Sequence, residues 1–238
     1  MKIELKGLSK SFGSVQVLRK CNLSLESGEL ICLVGNNGAG KTTFLRIVSG
    51  LLGADRGHLF VNGVEWMLNS SDWRKKCAMV AHKTFLYQNL TGLENLRFFS
   101  RLYENDLSDA KLKEKLAEVG LAKAGGRQVR TYSRGMQQRL TIARALLSSS
   151  DLLILDEAFT GLDKDGSELL NRILLSCKAD GNAILMTSHD PGLAFEISDA
   201  FVKLNKGVLT EKMSTKEKQW SEIEGLLFPE SIVEEARS

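Results

Sequence analysis

Residues 35 to 43 read GNNGAGKTT and combine the residue types that hold phosphate groups. Gly35, Gly40, Lys41 and Thr42 satisfy the pattern G-x-x-x-x-G-K-[ST], between a strand-like run, LICLV, and a helix-like run, TFLRIVSGLL. The glycines let backbone N–H groups approach phosphate, the lysine reaches the β and γ phosphates, and the threonine hydroxyl holds Mg²⁺. The alternative is a simple glycine-rich turn before a helix. The predicted phosphate site comprises Gly35, Asn36, Asn37, Gly38, Ala39, Gly40, Lys41, Thr42 and Thr43.

Two carboxylates follow another apolar run, LLILDEAF, where a buried strand would emerge. Asp156 is placed to hold a Mg²⁺ shell together with Thr42, and Glu157 to polarise a water for attack on the γ-phosphorus. Two solvated charges at a strand end are the alternative. His189 follows the run AILMT and could donate to a terminal phosphate, although an isolated histidine is usually an ordinary surface or core residue. We predict Glu157 and His189 as catalytic residues.

A second candidate anion site lies at YSRGMQQR, residues 132 to 139. No acidic residue occurs from Ser133 through Ala143, so the start of the predicted helix offers free N–H groups and the positive end of a dipole. Ser133 and the N–H of Gly135 are its candidate contacts. Phe12, in SKSFGS, could stack on an adenine ring or pack in the core.

The spacing of apolar residues predicts the elements that position these side chains. Short apolar runs interleaved with helical patterns indicate buried parallel strands in an α/β core. The first thirty residues and HLFVNG alternate in polarity, which indicates an antiparallel sheet at the front. The predicted parallel strands are LICLV at 30 to 34, CAMV at 77 to 80, LLIL at 152 to 155 and AILMT at 183 to 187.

From about residue 84 to residue 148 the strand patterns give way to helical spacing. Thr91 and Glu94 have the T-x-x-E spacing of a capping box. Beyond about residue 210 the chain becomes charged and helical. The predicted apolar stripes are Leu112, Leu116 and Val119 on one helix and Leu140, Ala143 and Leu147 on another, and the predicted anchors of the tail are Trp220, Leu226 and Leu227.

Composition describes an ordinary globular chain and limits its partners. The chain has 238 residues, 43% of them hydrophobic and 26% charged, which is enough for one large domain or a domain with a subdomain. The net charge of +3, from 32 basic and 29 acidic residues, gives no reason to expect nucleic acid. No apolar run approaches the roughly 18 to 20 residues that span a bilayer. We therefore expect any membrane role to depend on another protein.

The cysteines and the beginning of the chain indicate a reducing compartment. Cys21, Cys32, Cys77 and Cys177 are widely spaced, without zinc-ligand pairs or a tight disulfide framework. The first ten residues, MKIELKGLSK, lack the apolar segment of a signal peptide. We expect structural thiols in a cytosolic protein.

Taken in order, these segments resemble the nucleotide-binding subunit of ATP-binding cassette (ABC) transporters across nearly the whole chain. The phosphate loop alone is shared by many NTPases, whereas YSRGMQQR just upstream of the Asp-Glu strand is specific. The resemblance implies a P-loop NTPase (RecA-like) α/β fold that uses ATP and Mg²⁺. The matching segments are Phe12, GNNGAGKTT, a loop at His82, YSRGMQQR, LLILDE, TGLD and His189.

The resemblance also implies partners. In that family two subunits face head to tail, and the signature segment of one caps the ATP held by the other. Ser133 and Gly135 would then contact a neighbour's γ-phosphate, and Asp163, in TGLD, would lie in the loop that links the two sites. The implied partners are a second copy or a paired ABC ATPase subunit and a transmembrane permease on the inner face of the cell membrane.

The domain organisation implied is a single ABC ATPase domain. Residues 1–83 and 149–210 form the nucleotide-binding core, which includes the N-terminal antiparallel β subdomain. Residues 84–148 form an inserted α-helical subdomain that carries the signature segment, and residues 211–238 form a helical tail. Most of the apolar face of LENLRFFSRLY should be core for the insert, and the remainder, near the His82 loop, could line a groove for a short helix of the permease.

Four positions depart from the commonest family pattern. Arg134 replaces the first glycine of the signature pair, which adds charge near the phosphate and leaves Gly135 for close approach. Ala158 follows Glu157 where proline is usual, with little expected chemical consequence. Phe12 stands where tyrosine is more common, and stacking survives that exchange.

His82 is the fourth departure, because the family normally has a glutamine there that touches Mg²⁺ and the attacking water. Histidine can also donate or ligate, in a pH-sensitive way, while an unremarkable loop histidine is the alternative. Histidine followed by LTGLENLRFFSRLY resembles the ATPase subunit of the heme exporter used in cytochrome c maturation. Cassettes of multidrug-type exporters share much of this segment.

Two other functions remain open from the sequence. A small-molecule kinase would use the same phosphate loop but leaves YSRGMQQR and TGLD unexplained. An ABC protein that acts on ribosomes or DNA is disfavoured by the single-cassette length and the modest charge.

Overall fold

The computed structural model describes residues 1–81 and 83–227, and these residues form two β-sheets with helices packed around them. In chain order the strands are β1 (Lys2–Phe12), β2 (Val15–Glu26), β3 (Leu30–Val34), β4 (Arg56–Val61), β5 (Val64–Trp66), β6 (Cys77–Val80), β7 (Leu152–Asp156), β8 (Ala183–Thr187), β9 (Ala200–Asn205), β10 (Val208–Leu209) and β11 (Met213–Ser214).

The helices connect these strands and make up most of the middle of the chain. Two 3-10 turns, at Ala122–Ala124 and Val129–Thr131, lie between the fourth and fifth helices. The helices are α1 (Lys41–Val48), α2 (Ser71–Lys75), α3 (Gly92–Leu102), α4 (Asp109–Glu118), α5 (Arg134–Ala145), α6 (Lys164–Ala179), α7 (Pro191–Phe195) and α8 (Trp220–Leu227).

The front of the molecule is an antiparallel sheet with strand order β2-β1-β4-β5. Its inner face buries alternate residues, among them Ile3, Leu5 and Leu59, as the sequence pattern predicts. These side chains pack with α1 and with one face of the second sheet in a single apolar cluster.

The second sheet has strand order β10-β9-β3-β8-β7-β6, with β11 paired to β9. The neighbours β9, β3, β8, β7 and β6 run parallel. Both faces are covered, which explains the continuous apolar runs. Along β3, Leu30, Cys32 and Val34 enter one core, whereas Ile31 and Leu33 enter the other.

The segment between β6 and β7 is helical and packs on the second of these cores. The capping box at the start of α3 forms as predicted: Thr91 Oγ1 accepts from Glu94 N–H at 3.2 Å, and Glu94 Oε2 accepts from Thr91 N–H at 2.7 Å. Leu112 and Leu116 of α4 are fully buried beside α5. The predicted fold class is confirmed: a parallel α/β core, an N-terminal antiparallel sheet and an inserted helical part.

The tail differs from the sequence prediction in two ways. Residues 213–214 pair with β9, and the helix begins only at Trp220, so the segment from 211 is not helical throughout. Leu226 is 59% exposed, whereas Ile223 and Leu227 are buried. The cause is the helical phase, because the face that meets Phe195 and Phe201 through Trp220 is the one that carries Ile223 and Leu227. Residues 228–238 lie outside the described part.

The cysteines are free thiols, with Cys21 and Cys32 buried. Burial raises the pKa of all four thiols above the ordinary value, which keeps them protonated and unreactive. Among the described residues, no helix is both long and apolar enough to cross a membrane.

Candidate functional site

The parallel strands β3, β8 and β7 bring three of the predicted segments to one edge of the sheet. β3 pairs with β8, and β8 pairs with β7. Since parallel strands end at the same edge, the loop after Val34, His189 after β8 and Asp156 at the end of β7 share that edge. Segments separated by more than a hundred residues therefore meet in one region.

The phosphate loop begins where β3 ends and continues directly into α1. The first backbone bond of this helix runs from Phe44 N–H to Gly40 O at 2.8 Å. Within the described part of the chain, the N–H groups of Lys41, Thr42 and Thr43 have no partner, and the first turn contains no acidic residue. The helix start is therefore an electropositive group of free donors.

Lys41 is buried, and its ammonium group lies over the loop that precedes it. Nζ donates to Gly35 O at 2.6 Å and to Asn36 O at 3.2 Å. An ammonium group has three donors, so one remains for a further acceptor. The adjacent Thr42 is exposed, and its hydroxyl is accessible at the helix start.

The glycines of the loop are required by its backbone. Gly38 and Gly40 have φ of 78° and 103°, in the left-handed region. Gly35 has φ of 153°, and a Cβ on it would lie 2.4 Å from the carbonyl oxygen of Leu204 on β9. The loop therefore passes so close to β9 that only glycine fits at position 35.

The two carboxylates at the end of β7 have different surroundings. Asp156 is 4% exposed, and its Oδ1 accepts from the Thr187 hydroxyl at 3.0 Å. Glu157 is more accessible, and its Oε1 lies 2.7 Å from His189 Nε2. Because a carboxylate only accepts, Nε2 is the donor. The structure thus brings together Asp156, Glu157 and His189, as the sequence predicts.

Glu157 has an uncommon backbone conformation, with φ of 58°. Its N–H donates to Thr187 Oγ1 at 3.0 Å, and its carbonyl accepts from Thr160 N–H at 3.1 Å. The next carbonyl, of Ala158, accepts from the buried Gln138 Nε2 at 3.1 Å. The sequence motifs did not single out Thr187 or Gln138 as functional residues. The sequence signal that could have marked Thr187 is a hydroxyl residue at the end of an apolar strand, in MTSHD.

The signature segment forms the start of α5. Ser133 is the N-cap, and its Oγ accepts from Met136 N–H at 3.2 Å. This bond uses an oxygen lone pair and leaves the hydroxyl proton free to donate. Gly135 faces the carbonyl of Gly161, 3.2 Å from where a Cβ would lie, and the Arg134 side chain packs over Gly161. The signature turn therefore rests on the TGLD segment of its own chain.

Phe12 and Asp163 have clear positions. Phe12 ends β1, is 50% exposed, and lies under the Lys10 ammonium, 5.5 Å from the ring centroid. Of the two alternatives for Phe12, core packing is therefore wrong. Asp163 is exposed and caps α6 by accepting from Gly166 N–H at 2.8 Å. This hydrogen bond to Gly166 lies within one chain.

His82 lies outside the described residues, two positions after β6 ends at Val80. The loop that follows it is held by Arg144 of α5, whose Nη1 donates to Thr84 O at 2.7 Å. Burial lowers the pKa of the Arg144 guanidinium, and this group lies 5.0 Å from the Phe99 ring centroid. Sequence reasoning did not single out Arg144.

The donors at this edge suit a magnesium nucleotide. Mg²⁺ prefers oxygen ligands and is usually held by one or two protein groups together with phosphates and water. The Thr42 hydroxyl and the Asp156 carboxylate are such groups. In residues 1–81 and 83–227 no cluster of three or more His, Cys, Asp or Glu side chains could hold a metal by itself. The residues therefore fit an ion that arrives with a phosphate ligand.

The family model of the ABC transporter matches residues 18–160, which is more than half of the chain. The chain belongs to the ABC transporter ATP-binding family, and it is an ATP-binding ATPase of this class. This result confirms the resemblance drawn from the motifs. Membership of this family excludes the alternative of a small-molecule kinase.

Relatives extend over the whole chain. The lantibiotic transport ATP-binding protein SrtF of Streptococcus pyogenes is 33% identical over 237 residues, covering 99% of both chains. The cytochrome c biogenesis ATP-binding export protein CcmA of Aliivibrio fischeri is 35% identical over 173 residues, covering 73% of this chain and 84% of that protein. A sulfate/thiosulfate import ATP-binding protein, CysA of Pectobacterium atrosepticum, is 34% identical over 219 residues, covering 89% and 66%. Relatives with different transport functions match at similar identity, so these comparisons do not single out the heme exporter.

Solved structures share the fold. The structure of an ATP binding subunit of an ABC transporter has a TM-score of 0.82 at 30% identity, covering 98% of this chain and 99% of that one. The dimeric structure of MJ0796, a bacterial ABC transporter cassette, has a TM-score of 0.80 at 23% identity, covering 90% and 99%. At that identity MJ0796 supports the fold alone.

Substitution of the loop glycines tests the close approach to β9. We expect Gly35→Ala to lower the free energy of unfolding by about 3 kcal/mol, because the new Cβ must displace the Leu204 backbone. Gly38→Ala is the matched control. Among the described residues, no atom beyond its chain neighbours lies within 4 Å of its Cβ position, so only the left-handed φ costs about 1 to 2 kcal/mol. Urea unfolding measures both. Equal losses would contradict the contact with β9.

Proposed function

We propose that this chain is the motor subunit of a membrane exporter, in which two ATPase subunits close on ATP and reopen after hydrolysis. The observation that carries the proposal is the presence of two separate anion-binding helix starts. One lies at Lys41 beside the carboxylates, and the other lies at Ser133 on the helical insert. The name of CcmA, an export protein, supports the direction of transport.

The first helix start would hold the nucleotide of its own chain. The free N–H groups of Lys41, Thr42 and Thr43 and the Lys41 ammonium would bind the β and γ phosphates, with the loop Gly35–Gly40 wrapping around them. The exposed Phe12 ring would stack on the adenine. Thr42 and Asp156 would hold Mg²⁺, which when bound neutralises the phosphate charge.

Hydrolysis would use the residues that follow β7 and β8. Glu157 is the proposed general base, because its carboxylate is accessible and can accept a proton from an attacking water. His189 donates to this carboxylate and so orients it. His82, at the end of the β6 loop, is proposed to touch the water or Mg²⁺ in place of the family's glutamine.

Replacement of Glu157 by glutamine tests this assignment. We expect Glu157→Gln to lower kcat at least about 100-fold while ATP binding persists, because the amide keeps the shape but accepts no proton. Phosphate release and equilibrium ATP binding are measured in parallel. Glu168→Gln, an exposed change on α6, is the control and should hydrolyse ATP at the parental rate. A Glu157→Gln variant with parental kcat would contradict the role of Glu157 as base.

The second helix start would serve a neighbouring subunit. The free Ser133 hydroxyl proton and the α5 dipole can bind an anion, and the nucleotide loop of the same chain already has its own donors. A γ-phosphate held from both sides binds the closed dimer more tightly than the open one, so its loss on hydrolysis releases the dimer. Asp163, capping α6 beside the Arg134–Gly161 contact, lies in the segment proposed to link the two sites.

A mixing experiment tests the head-to-tail arrangement. Lys41→Ala disables one side of each site, and Ser133→Asp keeps a good N-cap while placing a carboxylate against the phosphate. We expect each homodimer to be inactive and an equal mixture to recover up to about a quarter of the parental activity. The reason is that about half of the dimers are then mixed, and each mixed dimer contains one intact site of two.

The control is a chain that carries both substitutions. Mixed with either single variant, it can form no intact site, so activity should stay at background. Recovery in these control mixtures, or none in the mixture of single variants, would rule out a nucleotide shared between the Lys41 loop and Ser133.

The permease is proposed to dock on the face formed by residues 85–103. Phe85, Tyr87, Phe98, Leu102 and Tyr103 are large apolar side chains that remain exposed in this short segment. Leu102 and Tyr103, at the end of this segment, also line a groove of about 360 Å³ between β6, the end of α3 and the end of α5. Such an apolar face suits a short amphipathic helix. We propose that this contact holds the chain at the inner face of the cell membrane.

The cargo is set by the permease, and heme is our proposal for it, on the resemblance at His82 and the relationship to CcmA. A multidrug-type exporter is the alternative. Identification of the membrane protein that co-purifies with the tagged chain separates the two.

A charge on the docking face tests the permease contact. We expect Leu102→Glu to reduce the membrane-bound fraction of the tagged chain at least about fivefold, because a carboxylate disfavours an apolar contact. Leu102 is 61% exposed, so the fold should tolerate the change. Val64→Glu, at a 63% exposed position of β5, is the control. The measurement is immunoblotting of membrane and soluble fractions; equal effects of both variants would contradict the proposed face.

A further inference from the structure

Thr187 occupies a connecting position between the two carboxylates of the site. It is fully buried at the end of β8, directly opposite Asp156 of β7. Its hydroxyl donates to Asp156 Oδ1 at 3.0 Å, and its Oγ1 accepts from Glu157 N–H at 3.0 Å. A longer contact of 3.5 Å reaches Leu155 O. One side chain therefore contacts both acidic residues.

The chemistry of a hydroxyl permits both bonds at once. A threonine hydroxyl has one proton and two lone pairs, so it can donate to the carboxylate and accept from the backbone together. Asp156 and Thr187 are both buried, and a buried polar group that loses its partner is costly. Valine, which has the same shape, offers neither bond.

The backbone of Glu157 gives these bonds a functional meaning. Its φ of 58° lies in a region that residues other than glycine seldom adopt. Such a backbone conformation persists where the surrounding structure enforces it. Thr187 holds the N–H of this residue. His189, two positions further along, holds its carboxylate at 2.7 Å. A single short segment thus contacts Glu157 at the backbone and at the side chain.

We infer that Thr187 is a positioning residue for ATP hydrolysis, and this inference rests on the proposed role of Glu157 as base. Thr187 is fully buried, so its hydroxyl would act through Asp156 and Glu157. Its hydroxyl orients the Asp156 carboxylate and holds the backbone turn that positions Glu157. The two carboxylates therefore keep a fixed relative position. Small displacements of a catalytic group cost rate rather than binding.

Two substitutions separate the hydroxyl from the packing of its methyl group. We expect Thr187→Val to lower kcat roughly 10- to 100-fold, with the Kd for ATP changed less than about threefold. Thr187→Ser keeps the hydroxyl and loses the methyl group, so it should retain most of the parental kcat even if its Tm falls. Phosphate release, equilibrium ATP binding with and without Mg²⁺, and thermal unfolding are measured for each.

The matched control is Thr141→Val. Thr141 is also fully buried, but its hydroxyl donates only to the carbonyl one helical turn earlier, Gln137 O, at 2.9 Å. We expect this variant to keep the parental kcat, which would show that loss of a buried threonine hydroxyl does not by itself slow hydrolysis.

The possible results are distinct. A Thr187→Val variant with parental kcat overturns the inference, and so do equal losses of kcat in Thr187→Val and Thr187→Ser, since these would indicate packing. A drop in ATP affinity that accounts for the whole loss of rate also overturns it. Failure of the proposed function gives a different pattern, because Glu157→Gln would then match the parental enzyme whatever Thr187 does.

Discussion

The arrangement of this molecule depends on the start of α1, where unpaired backbone N–H groups and a buried ammonium are placed together at the end of a buried strand. Such a group of donors is stabilised by an anion. The parallel sheet then determines which residues can act on that anion, because β8 and β7, the next strands in the sheet, end at the same edge. Asp156, Glu157 and His189 are the side chains at those two strand ends.

A second constraint joins this edge to the rest of the protein through α5. The helix is capped by Ser133, contacts the turn after Glu157 through Gln138 and Ala158 O, and holds Thr84 O through Arg144. Rigid secondary-structure elements can carry coupling between distant sites. In the proposed cycle, closure of a neighbour's nucleotide on Ser133 would therefore be transmitted to the catalytic turn and to the apolar docking face of residues 85–103.

The departures from the common ABC pattern acquire physical meaning in this framework. Arg134 does more than add charge to the signature, since its side chain lies over Gly161 and joins the signature to the TGLD segment. Ala158 is fully buried, and its carbonyl accepts from Gln138, so this position contributes through its backbone. The exposed Phe12 keeps an aromatic face available, as a tyrosine there would.

Local chemistry made much of this protein predictable from its sequence. Buried parallel strands are continuous apolar runs, phosphate loops need glycines at particular spacings, and the capping box of Thr91 and Glu94 spans only four residues. These features depend on neighbours in the chain. The motifs also placed the chain in its family, since their order along the sequence is preserved.

Tertiary structure decided what no local pattern contains. β9 joins the sheet although Lys203 interrupts its apolar run, and Leu226 is exposed because the core selects the face that carries Ile223. The contact of Thr187 with Asp156 joins residues 31 positions apart. The physical reason is common to all three: a hydrogen bond or an apolar contact across the sheet depends on which strands become neighbours, and that choice is made by the packing of the whole chain.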